Sequence, residues 1–160
     1  MDIYEYAMQM EKDGEKLYRE LAATATDKGL ASIFEMLAEE EVKHCQTINQ
    51  MQAGSATMAD SRILDDVKNV FARMEAPVEE FDLSGGQIEL YKKARDIEEQ
   101  SRQFYAEKAD KADNEQSTGL FTRMAEEEER HYVLLGNIIE FVSRPRQWLE
   151  DAEWNHLEAY

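Results

Sequence analysis

The sequence predicts an all-α protein: a four-helix bundle made of two repeated helical hairpins, with a long crossover between them and a short C-terminal helix. Three observations carry this expectation. Apolar residues recur at 3–4 spacing along four long stretches, and no β-type alternation stands out. Only two Pro and seven Gly occur in 160 residues, while the good helix formers Ala, Glu, Leu, Lys and Met are plentiful. The first half of the pattern returns in the second without a gap at an offset of 87, the distance from Glu11 to Glu98.

The elements follow in order. A first helix is expected from about Asp2 to Thr26, and a second from Lys28 or Gly29 to Gln52, making a hairpin over 2–52. "AGSATMADS" breaks the periodicity. "RILDDVKNVFARMEA" reads as a shorter amphipathic helix ended by Pro77, and "PVEEFDLSGG" as a loop, so 53–85 forms the crossover. The third long helix runs from near Gly86 to about Asp113, and the fourth from about Glu115 to Ser143, making a second hairpin over 86–143. Arg144-Pro145 is expected to end the fourth helix, because proline lacks an N–H and disfavours the α region in the residue before it. The bundle then spans 1–144, and 145–160 is a helical tail.

Bulk properties bound the function. A formal charge of −17 repels nucleic acid and anionic membrane surfaces and attracts cations. The single Cys45 excludes an internal disulfide and a Cys-rich metal site. It lies off the inward register, and a buried, inert thiol is expected rather than a ligand or redox group. No signal-peptide pattern and no apolar stretch of about 18–20 residues is visible, so the expectation is a cytoplasmic protein without membrane partners.

The inward stripes are legible residue by residue. In the second helix Phe34, Leu37, Glu41, His44, Ile48 and Met51 keep alternating 3–4 spacing, as do Phe121, Met124, Glu128, His131, Leu135 and Ile138 in the fourth. The first helix gives Tyr4, Ala7, Glu11, Gly14, Tyr18, Leu21 and Ala25. The third gives Tyr91, Ala94, Glu98, Ser101, Tyr105 and Ala112, with Lys108 off the pattern. Each stripe is apolar except for Glu, or Glu with His, near its middle. The remaining acids of "AEEEVKH" and "AEEEERH" are expected mostly on a solvated face. A third Glu-x-x-His, Glu153 to His156, lacks a repeat partner and is expected to be a surface match in an aromatic docking helix.

Four carboxylates and two imidazoles inside an apolar bundle are costly unless neutralised. Protonated carboxyls or a polar network could serve; divalent cations serve better. One Glu from each of two helices and one Glu-x-x-His from each of the other two suit two metals about 3.5–4 Å apart. The metal ligands expected are Glu11, Glu41, His44, Glu98, Glu128 and His131. Carboxylate with imidazole favours iron, manganese or zinc.

The pieces "MEKDGEKLY", "FEMLAEEEVKH", "IEEQSRQFY" and "FTRMAEEEERH" resemble the rubrerythrin-like branch of the ferritin-like superfamily over residues 2–143. The resemblance implies two iron ions per chain, with manganese or zinc as possible substitutes. It also implies bridging roles for Glu41 and Glu128, terminal roles for Glu11 and Glu98, and one histidine, His44 or His131, on each iron. Tyr18 and Tyr105 would donate to the carboxylates. The activity implied is oxidoreductase chemistry: reduction of hydrogen peroxide or dioxygen in oxidative stress, in a homodimer. Two departures matter. With one Cys, the chain is expected to lack a rubredoxin-like iron domain, so electrons would come from a separate rubredoxin or flavoprotein. The family's extra Glu, one turn after the third-helix ligand, is replaced by Ser101, with Gly14 at the repeat position, which weighs against efficient peroxidase activity. These small residues are expected to leave room for water or an oxidant. The alternatives are a ferroxidase or iron-handling protein, and a non-catalytic metal-binding helical module.

Overall fold

The computed structural model describes residues 2–54, 58, 61–73 and 87–155, with side chains as far as Ser143. Five helices are present: α1 (Ile3–Thr24), α2 (Lys28–Gln52), α3 (Ile63–Arg73), α4 (Gln87–Lys111) and α5 (Glu115–Asn155). No strand occurs among the described residues.

Local chemistry sets the helix ends. Asp2 forms a capping box with Glu5: its Oδ1 accepts from Glu5 N at 2.8 Å, and Asp2 N donates to Glu5 Oε2 at 3.3 Å. Asp27 caps α2 by accepting from Leu30 N at 2.9 Å. Its repeat partner Asn114 caps α5 by accepting from Ser117 N at 2.8 Å. The two hairpin turns therefore fall at equivalent positions and use equivalent side chains. Past α2, Gly54 takes the left-handed conformation (φ 78°) that ends many helices and that glycine adopts without steric cost.

The fourth long helix does not stop at Arg144-Pro145. α5 continues through them to Asn155. A proline inside a helix removes one backbone hydrogen bond and costs about 3 kcal/mol, a penalty that changes a helix's stability without forbidding it. The expected stop at Pro77, the loop 77–86 and residues 156–160 lie outside the described residues.

α1 packs on α2 and α4 on α5, while α1–α4 and α2–α5 contacts join the hairpins. The core has two apolar clusters. One holds Tyr18, Leu21, Phe34, Leu37, Tyr91, Leu135 and Ile138, and α3 covers it with the buried Ile63 and Val67. The other holds Ala7, Ile48, Met51, Tyr105, Phe121 and Met124. The glutamates and histidines of the stripes fall between the clusters in sequence register, so apolar layers bound a polar one.

Candidate metal centre

All six sequence-predicted ligands are buried: Glu11 1%, Glu41 4%, His44 1%, Glu98 2%, Glu128 0% and His131 0% exposed. They converge from four helices as two overlapping groups. Glu11, Glu41, His44 and Glu128 offer ligand atoms within 4.8 Å of one another, and so do Glu41, Glu98, Glu128 and His131. Each group could hold a metal ion, and Glu41 and Glu128 belong to both.

The contacts repeat across the hairpins. His44 Nδ1 lies 3.3 Å from Glu11 Oε2 and 3.0 Å from Glu128 Oε1. His131 Nδ1 lies 3.4 Å from Glu98 Oε1 and 3.5 Å from Glu41 Oε1. The two rings are nearly parallel, 5.6 Å apart at their centroids. Both tyrosines reach over to the opposite hairpin: Tyr105 donates to Glu11 Oε1 at 2.5 Å, and Tyr18 donates to Glu98 Oε1. Hydroxyl and carboxylate thus exchange partners between α1 and α4.

These bonds do not satisfy the site. Glu11 Oε2, Glu41 Oε1, Glu98 Oε2, Glu128 Oε2 and both ring nitrogens of His131 are buried without a hydrogen-bond partner, although His131 Nδ1 lies 3.5 Å from Glu41 Oε1 and 3.8 Å from Glu128 Oε2. Such orphans are expensive in protein alone. Cations among the carboxylate oxygens and His131 Nδ1 would satisfy those atoms, so the donor set fits metal ions, while His131 Nε2 lies on the far edge of its ring.

Left to protons, the carboxylates divide by position. Burial, reinforced by the neighbouring carboxylates, pushes Glu41 and Glu128 well above the usual range. Burial is the largest influence on Glu11 and Glu98 and raises them, but the facing histidine, a hydrogen bond with a shared carboxyl and a tyrosine hydroxyl together outweigh it. Glu11 is therefore lowered, and Glu98 sits at about 2. Burial works against a charged His44, yet Glu11 and Glu127 raise it well above its ordinary value. Burial first, and then the adjacent carboxylates, raise Tyr18 and Tyr105 well above the usual phenol range, so both remain protonated donors. The two carboxyls shared by the groups are those whose neutral form burial and like charge favour.

Three expectations need correction. Glu40 and Glu127 are 5% and 4% exposed, so they are not part of a solvated face. Glu127 Oε2 lies 2.5 Å from His44 Nε2, and Glu40, Glu127 and His44 form a third group of atoms within 4.8 Å. Each acid stands four residues before a histidine, which was the available signal; the stripe register passed over it. At Gly14 the expected room for water or oxidant is taken: a Cβ there would stand 3.1 Å from Glu41 Oε2, so the glycine makes space for a candidate ligand. Cys45 is half-buried, with burial raising its thiol, and is in none of the three groups. The Glu153–His156 pair lies outside the described side chains.

Fold and site together define a helical-bundle protein with a buried carboxylate–histidine cluster that could hold metal. The family model described as rubrerythrin matches residues 2–139, and matches again over 89–159. The chain belongs to the rubrerythrin family. Comparisons with curated proteins and with solved structures return no match. Among the described residues, no helix is long and apolar enough to cross a membrane.

Proposed function

We propose that this chain is a non-haem di-iron oxidoreductase that reduces hydrogen peroxide or dioxygen with electrons from a separate carrier, such as a rubredoxin or a flavoprotein. The observation that carries the reading is the pair of four-residue groups sharing Glu41 and Glu128. Family membership supports it.

Glu11 and His44 would hold one iron, Glu98 and His131 the other, and Glu41 and Glu128 would span both. Held by these residues, two irons would supply one electron each, the two electrons that cleavage of a peroxide O–O bond requires. The chain's own contribution is positional and electrostatic. The apolar layers limit water around the site and strengthen interactions within it. The Tyr18 and Tyr105 hydroxyls hold Glu98 and Glu11 in place while keeping their own protons. Glu41 and Glu128, raised by burial and like charge, accept protons when not coordinated.

The test starts with protein purified from iron-replete, oxygen-free culture. About two irons per chain are expected from the ligand set, lost in the Glu41→Ala, Glu128→Ala double variant. Binding must displace the protons of Glu41 and Glu128, so iron affinity should fall as pH is lowered. The reduced protein should consume peroxide or dioxygen over many turnovers when a chemical reductant is supplied. Iron that oxidises once and is then released or stored would move the reading to a ferroxidase, and a wild type without metal would sink it.

A further inference from the structure

The repeat holds at all six candidate ligands and both tyrosines, and its contacts diverge at a neighbouring pair of acids. Positions 40 and 127 are equivalent, each four residues before the histidine of its own helix. Glu127 reaches from α5 to His44 Nε2 on α2. Glu40 does not repay the contact at His131. Its Oε1 accepts from the Ser61 hydroxyl at 2.8 Å, and Ser61 Oγ in turn accepts from Ile63 N at 3.2 Å, at the start of α3. His131 Nε2, fully buried, has no partner. The cause is topological. Ser61 sits in the crossover, which is not part of the repeated unit, so only one hairpin's acid meets it.

This changes what each imidazole brings to a cation. A carboxylate that accepts from Nε2–H fixes the tautomer, holds the ring plane and leaves the Nδ1 lone pair as the ligand. At His44, Nδ1 is the nitrogen that faces Glu11 and is hydrogen-bonded to Glu128 Oε1, a bond that a cation would replace. His131 also turns Nδ1 toward carboxylates, but no hydrogen bond holds its far edge. Its tautomer must be set when the metal arrives, which costs affinity.

We infer that Glu127 is a positioning residue for His44, and that the metal position of Glu11 and His44 therefore fills before that of Glu98 and His131. The inference rests on the dinuclear reading above.

The experiment is an anaerobic titration of the metal-stripped full chain with Co(II), followed by calorimetry and by the visible ligand-field spectrum. The wild type should show two steps, and His131→Ala should keep the tighter one while losing the weaker. Glu127→Ala should weaken the tighter step by about 10–100-fold and change the other much less. Glu127→Gln keeps an oxygen that can accept from Nε2–H, so it should recover most of that loss. Two equal steps in the wild type would overturn the order of filling. A Glu127→Ala variant that weakens both steps alike, or a Gln variant no better than Ala, would overturn the positioning role. If the Ala variant loses its helical circular dichroism, the Gln and His131→Ala titrations decide. A wild type that takes up no Co(II) removes the dinuclear reading and this inference together, whereas two equivalent ions remove this inference alone.

Discussion

The two hairpins carry the same stripe of residues but have different surroundings. Residues 3–52 and 87–138 place tyrosine, glutamate and histidine at matched depths, with Asp27 and Asn114 capping at matched turns. Around them the symmetry loosens. Phe34 is completely buried in the larger cluster, 5.1 Å from the Tyr91 ring, and α3 adds Ile63 and Val67 to that cluster. Phe121 sits in the smaller cluster, which α3 does not cover. Gly14 faces the Glu41 carboxylate where the second hairpin has Ser101. Residues repeated for chemistry are thus kept equivalent by their shared partners. Those next to the crossover differ because the crossover touches one side only.

The largest effect should separate the two clusters. Phe34→Ala and Phe121→Ala each remove a buried ring, with a cost of about 3–5 kcal/mol. Urea unfolding should put Phe34→Ala at the upper end and Phe121→Ala at the lower. An equal or reversed pair would show that α3 adds little to its cluster.

A smaller effect should show the symmetry instead. Tyr18→Phe and Tyr105→Phe each take the donor from a buried carboxylate, at about 1–3 kcal/mol. The two losses should match in metal-stripped protein, because each tyrosine serves the opposite hairpin's glutamate. Unequal losses in urea midpoints would mean that the exchange between α1 and α4 is not reciprocal in solution.

The smallest change in stability should accompany a clear change in metal content. Gly14→Ala gains helix propensity of up to about 1 kcal/mol, but its Cβ crowds Glu41 Oε2. Metal per chain should fall with little change in the unfolding midpoint, while Ser101→Ala should keep its metal. If Gly14→Ala binds metal normally, Glu41 has room to step aside and the contrast between the two positions disappears.

Much of this was legible beforehand. The stripes picked out all six converging residues because the apolar register continues through Glu11, Glu41, Glu98 and Glu128, and helical periodicity fixes which residues share a face. The gapless repeat then implied reciprocal partners. Glu127 and Glu40 were missed because periodicity gives direction around one helix and says nothing of how near the next helix comes. α5 through Pro145 was missed because a local propensity penalty is small beside the sum of a long helix's other bonds.

By itself the sequence determined the helices, the repeat and the identity of the polar layer, since these depend on 3.6-residue periodicity, capping side chains and residue type along one chain. Only the tertiary structure decided which carboxylates are shared, which tyrosine serves which glutamate, that Glu127 meets His44, and that Ser61 bonds Glu40. The distances between elements that are observed here, among them Glu127 to His44 and Ser61 to Glu40, are set by how side chains of different size fill the space between them, and no single helix carries that information.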